Sequence, residues 1–198
     1  MNKTLLKLNK FHFGESNKNI FSFKELEKLI NLRPFLNTKR FLPVMKKDVN
    51  LNWLGYEWQT DESCVPISII KKLLKENVIY IKDCTRVNKK INNKCKELEK
   101  IFKRATDCHI FFSFKKNLNG LSKHKDISDN FIVLCSGAFK VEVWTNKKTT
   151  KIMHPGEYVF IPKNTYHRIT PLTDKRLSCS FPIHPESKKF DEREWLNI

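Results

Sequence analysis

The chain has 198 residues, a formal net charge of +17 and a pI near 9.7. Apolar residues make up 40% and aromatics 12%, including 15 Phe, so one domain of ordinary size can bury a real core, and a disordered basic tail is excluded. No run approaches the roughly 18 apolar residues of a membrane span, and the basic first residues lead into no cleavage-site pattern, so neither a membrane nor a secretory signal is expected.

In chain order, Ser22 and Glu25 form a capping-box pattern ahead of Leu26, Leu29 and Ile30, which predicts a helix that stops before Pro34. A loop with Trp53, Tyr56 and Trp58 follows; these rings either pack as core or lid, or border a substrate groove. Pro66 fits the first turn of a second helix running to about Leu74. Residues 78–81 read as a short strand. Asn88 caps a third helix, on which Ile91, Cys95, Leu98, Ile101 and Phe102 recur at helical spacing. After Arg104 the character changes to strands: 108–114, then 131–144 with Gly137 as a bend or bulge, then 158–162 and 177–183. Asn119-Gly120, Pro155-Gly156, Asn164 and Pro171 supply turns between them. Short strands at this spacing suggest a small barrel or a double-sheet jelly roll. A single domain is expected over 1–198: a helical and supporting region to about 104, a barrel core over about 105–183, and a tail over 184–198 with Trp195 and Leu196.

Lys supplies most of the 38 basic residues. Such usage fits a solvated surface or an A+T-rich coding sequence, and its sharper reading is an acidic or nucleic-acid partner. Cys64, Cys84, Cys95, Cys108, Cys135 and Cys179 form no CxxC pair. Their apolar surroundings point to free buried thiols and a reducing cytoplasm.

Two segments carry chemistry. On an extended chain, positions i and i+2 share a face, so His124 and Asp126 can both aim into a barrel interior. His167 follows a tight turn at Lys163-Asn164 and can enter from a neighbouring strand. Two imidazoles and one carboxylate make the facial ligand set that suits Fe(II) and leaves positions open. His109 reads as a packed or hydrogen-bonded histidine, and His12, His154 and His184 lie in uncommitted or turn segments.

The sequence resembles the Jumonji-C and cupin-like 2-oxoglutarate oxygenases. Ile110-Phe-Phe-Ser-Phe, Gly120-Leu-Ser-Lys-His124-Lys-Asp126, Asn130-Phe131 and Gly137 follow the family's first motif. Pro155-Gly156-Glu-Tyr-Val-Phe-Ile-Pro162, leading to His167, follows its second. The resemblance runs over roughly 66–183. It implies a mainly β fold with added helices: a double-stranded β-helix, a cupin-like jelly-roll core, with an N-terminal helical region packed on it. It implies Fe(II) held by His124, Asp126 and His167, with 2-oxoglutarate and O₂ consumed to hydroxylate a C–H bond.

One position departs from the family. A Lys or Arg usually stands two residues after the glycine at 137, to bind the distal carboxylate of 2-oxoglutarate; here it is Phe139. Lys140 can serve if a bulge at Gly137 shifts the register. Alternatively, Arg176-Leu177-Ser178 resembles the Arg-x-Ser motif of other such oxygenases, with a fork and a hydroxyl for one carboxylate. Asn130 matches a position near the inner end of the co-substrate, or is a turn residue that starts a strand. Ser113 either lines the pocket or bonds to backbone.

The leading expectation is therefore a 2-oxoglutarate-dependent hydroxylase of a protein side chain, or else of a small molecule. Nucleic acid is a less favoured partner, and a homodimer through helices fits the family. The alternatives are a non-catalytic cupin-type binding protein, or a metal-dependent cupin enzyme that does not use 2-oxoglutarate.

Overall fold

The computed structural model describes residues 10–16, 19–31, 41–44, 75, 77–82, 84–118 and 121–185. The expected helix over 66–74, the Trp53/Tyr56/Trp58 loop, the Asn119-Gly120 turn, Cys64 and most of the C-terminal tail lie outside them. The elements are β1 (His12–Glu15), α1 (Phe23–Asn31), β2 (Phe41–Val44), β3 (Val78–Ile81), α2 (Lys89–Phe102), β4 (His109–Ser113), β5 (Asp129–Ser136), β6 (Phe139–Trp144), β7 (Lys148–Met153), β8 (Glu157–Ile161), β9 (Tyr166–Pro171) and β10 (Arg176–Ile183).

Both helices among the described residues start where the sequence caps them. Ser22 N–H donates to Glu25 Oε2 at 2.8 Å, and Glu25 N–H donates back to Ser22 Oγ at 3.3 Å. Asn88 Oδ1 accepts from Ile91 N–H at 2.7 Å. The same Asn88 amide donates to Glu25 Oε1 at 2.9 Å, so one cap is tied to the other.

A large antiparallel sheet runs β1-β8-β5-β10-β4-β3-β2, and a small one runs β7-β6-β9. The chain crosses from one to the other at Gly137, whose φ of +77° suits glycine. A Cβ there would meet Thr173 Oγ1 at 2.5 Å, and that oxygen already accepts from Ala138 N–H. The expected strand over 131–144 is thus two strands in two sheets.

Among the described residues before 104, two strands, β1 and β2, stand beside the expected helices and the expected β3. β1, β2 and β3 all join the large sheet, extending it at both edges. β7, with the sequence Lys-Thr-Thr-Lys-Ile-Met, carries little apolar signal because it faces solvent on one side.

Two apolar clusters fill the molecule. One lies between the helices and the outer face of the large sheet, with Leu26, Leu29, Ile91, Leu98, Ile110, Phe112, Phe160 and Phe181. The other fills one end of the barrel, with Ile132, Leu134, Phe139, Val141, Val143, Met153, Val159 and Ile161. Beside the second cluster, among the described residues, a cavity opens between the sheets.

Candidate metal centre

The segment before β5 meets β9 through a short antiparallel bridge. His124 N–H donates to the His167 carbonyl at 3.1 Å, and His167 N–H donates to the His124 carbonyl at 2.8 Å. Residues that exchange both bonds are directly opposite, with side chains on one face. The two imidazoles accordingly lie 4.3 Å apart between ring centres.

The rings are held in the same way. His124 Nδ1 is 2.8 Å from the Ser122 carbonyl, and His167 Nδ1 is 3.0 Å from the Thr165 carbonyl. A carbonyl only accepts, so each Nδ1 carries a proton and each Nε2 is left to face Asp126. Nε2 of His124 is 3.6 Å from Asp126 Oδ1, and Nε2 of His167 is 3.5 Å from Oδ2. All three donor atoms lie within 4.8 Å of one another. Donors about 2.1 Å from one ion lie roughly 3 to 3.5 Å apart, so the set is close to the spacing an ion requires. Burial, joined by the neighbouring His124, lowers the pKa of His167 below the usual histidine value, which leaves a neutral imidazole with a free lone pair.

Asp126 is fixed at both ends. Asn164, in a left-handed turn (φ 61°), donates its N–H to the Asp126 carbonyl at 2.7 Å. Asn130 Nδ2 donates to Asp126 Oδ2 at 2.5 Å, while Asn130 Oδ1 accepts from Ser180 Oγ at 3.2 Å. Asn130, which also lines the cavity, thus orients the carboxylate. Asp129, just before it, binds Arg104 and accepts from Lys163 N–H at 2.7 Å, which locks the start of β5 to the turn that delivers His167.

These groups open on a cavity of about 280 Å³, also lined by Tyr80, Phe111, Ile132, Ile169, Arg176, Ser178 and Ser180. Register places Arg176 opposite Ser113, and Ser178 opposite Phe111. Arg176 is 2% exposed, and its Nη1 donates to Ser178 Oγ at 2.8 Å. Its Nε has no hydrogen-bond partner, and no carboxylate pairs with it among the described residues. Burial lowers its pKa to about 10, so it stays charged at neutral pH. The Ser113 hydroxyl is also buried without a partner, and Ser113 does not line the cavity.

Phe139 lies under this guanidinium, its ring centre 5.8 Å from Arg176 Cζ. Lys140 is on the opposite face of β6, outside the cavity lining, between Ile152 and Thr170. The register shift that could have turned it inward does not occur after Gly137. It falls instead in β5 at Cys135, where Leu177 faces Ser136 and Ser178 faces Leu134. The expectation for Lys140 is thereby corrected, because strand alternation gives the inward position to Phe139.

One cluster escaped the sequence reading. Asp107 lies 3.2 Å from His109 Nε2 and 3.1 Å from His184 Nε2. Burial opposes ionisation of Asp107, yet the two imidazoles hold its carboxyl well below the usual range. His109 also lines the cavity. The i, i+2 spacing of Asp107 and His109 was a visible signal; the approach of His184 from the end of β10 was not.

The fold recurs in solved structures. The crystal structure of Escherichia coli ribosomal oxygenase YcfD matches with a TM-score of 0.63 at 16% identity, covering 99% of this chain and 54% of that one. YcfD in complex with cobalt and 2-oxoglutarate matches with a TM-score of 0.56 at 17% identity, covering 94% and 50%. The complex with cobalt and succinic acid gives 0.57 at 17%, covering 90% and 49%. This chain therefore spans about half the length of those proteins. No protein-family model and no curated protein matches the sequence. The likeness establishes the fold, a double-stranded β-helix or jelly roll.

Proposed function

We propose that this chain is an Fe(II)- and 2-oxoglutarate-dependent oxygenase that hydroxylates a protein side chain. The observation that carries the reading is the pairing within one cavity. A two-histidine, one-carboxylate donor set lines it, and so does a buried guanidinium with no carboxylate partner among the described residues. A dicarboxylate that chelates a metal at one end and needs a cation at the other fits both. His124, Asp126 and His167 would hold Fe(II), and Arg176 with Ser178 would bind the distal carboxylate of 2-oxoglutarate. When bound, the iron supplies oxidative decarboxylation of 2-oxoglutarate by O₂ to succinate and CO₂, coupled to hydroxylation of a C–H bond.

The protein's own part is positioning. The paired backbone bonds of His124 and His167 set the spacing of the imidazoles, and the Ser122 and Thr165 carbonyls set their tautomers. Asn130 and Ser180 aim the carboxylate. Ile132 and Ile169 line the cavity and Phe139 lies beside the guanidinium, apolar surroundings that strengthen the attraction of Arg176 for an anion. All of these groups come from one chain, so the reading requires no second copy. The polypeptide substrate is supported by YcfD being a ribosomal oxygenase. A cytoplasmic setting, expected from the cysteine usage, accompanies this reading; no helix among the described residues is long and apolar enough to cross a membrane.

Anaerobic addition of Fe(II) and then 2-oxoglutarate tests the assignment. A weak visible charge-transfer band that needs both components is expected, with slow turnover of 2-oxoglutarate to succinate once O₂ is admitted. Metal binding without that band would favour a cupin enzyme of another reaction type. Asp126→Ala should abolish the band and the turnover while leaving the melting temperature of the metal-free protein within a few degrees.

A further inference from the structure

We propose that the outer face of the small sheet is a binding platform for single-stranded nucleic acid. This face points away from the cavity and shares no residue with its lining. Along β6 the inward residues are Phe139, Val141 and Val143, so Glu142 and Trp144 face outward. Trp144 stands directly between Lys148 of β7 and Tyr166 of β9. The segment bearing His124 joins the sheet beside β9. Because His124 and Asp126 face inward, Lys123 and Lys125 face outward.

The result is a row of two rings set among cations. Lys123 Nζ lies 4.6 Å from the Trp144 ring centre and 5.0 Å from that of Tyr166. Lys125 Nζ lies 5.6 Å from Tyr166, and Lys148 Nζ lies 5.3 Å from Trp144. The nearby carboxylate, Glu142, is 2% exposed and already shared between Lys148 and Arg168. Lys123 and Lys125 therefore have no carboxylate partner among the described residues. Tyr166 is 44% exposed.

Like charges held this close on an open surface repel one another, and a bound polyanion relieves that repulsion. The rings specify which polyanion. Unpaired bases stack on aromatic faces, and the displaced lysines can turn to the phosphates. A duplex keeps its bases stacked inside and meets only the lysines. An acidic peptide likewise uses the lysines and gains little from the rings. The chain-wide charge of +17 adds long-range attraction of the same sign.

The test is fluorescence anisotropy of a labelled oligouridylate, about 12 nucleotides long, with the full chain at low salt. The oligouridylate should bind more tightly than a duplex of equal length or polyglutamate. Tyr166→Ala should weaken it roughly tenfold and Tyr166→Phe should restore it, in line with the loss of one stacked base. Lys125→Gln should lower the slope of log affinity against log salt by about 0.7. Ultraviolet crosslinking of a 5-bromouridine oligonucleotide to the unaltered chain should label Tyr166 or Trp144, and needs no variant to fold. Crosslinks confined to other elements would overturn the proposal. So would equal binding of polyglutamate, or an affinity indifferent to Tyr166→Ala in a folded variant; either would reduce the face to nonspecific charge.

Discussion

β10 is buried along its whole length, yet its two faces are chemically opposite. Leu177, Cys179, Phe181 and Ile183 enter the apolar layer beneath the helices. Arg176, Ser178, Ser180 and Pro182 line the cavity. The outer face satisfies itself: its residues are apolar or thiol, and the Cys179 thiol is pushed well above its usual value by its contact with Cys108 and by burial, which keeps it inert. The inner face does not, because it buries a guanidinium whose Nε bonds nothing among the described residues. A buried cation left without a carboxylate costs several kcal/mol by ordinary estimates. Such a group is stable in a fold whose other layer supplies the surplus, and it is useful only if a ligand completes it.

The comparison can be broken from either side. Phe181→Ala, on the outer face, should cost about 3–5 kcal/mol of stability and leave the 2-oxoglutarate requirement unchanged, as read by denaturant melts and succinate release. Arg176→Ala, on the inner face, should do the reverse. It should raise the KM for 2-oxoglutarate about 100-fold, the value of a lost charged hydrogen-bond pair, with Fe(II) affinity kept and stability equal or higher. If its main effect were on stability, the two faces would not differ in kind.

A smaller effect belongs to Asp107. Its folded pKa lies below its unfolded value, so its stabilising contribution is present above the ordinary carboxylate range and is lost as pH falls toward the folded value. The gap in melting temperature between the parent and Asp107→Asn should be constant above about pH 5 and close below about pH 4. Smallest of all, Lys140→Ala should shift the KM for 2-oxoglutarate by less than about twofold, since Lys140 lies outside the cavity. A larger shift would return the cation role to β6.

The inner face was the more legible in the sequence. His124 and Asp126 stand out by their i, i+2 spacing, His167 by the turn before it and the Arg176/Ser178 pair by its motif, and the structure gathers all of them around one cavity. What spacing could not decide was register. Whether Phe139 or Lys140 points inward depends on where a bulge falls, and it falls at Cys135, on a different strand. The tie of Asn130 to Asp126 and Ser180 was not legible, because Ser180 is fifty residues distant in sequence. β1 and β7 were missed because edge strands with solvent on one side carry weak apolar alternation, and β2 because its four residues, Phe-Leu-Pro-Val, do not alternate at all.

The bridge between His124 and His167 has a further consequence. It brings together chain positions some forty residues apart, the kind of closure whose entropic cost grows with the logarithm of the loop. An ion gripping both imidazoles would act as a removable crosslink across that loop. Occupancy would then be readable without any turnover, as resistance to unfolding that rises with the logarithm of free metal concentration and vanishes with a chelator.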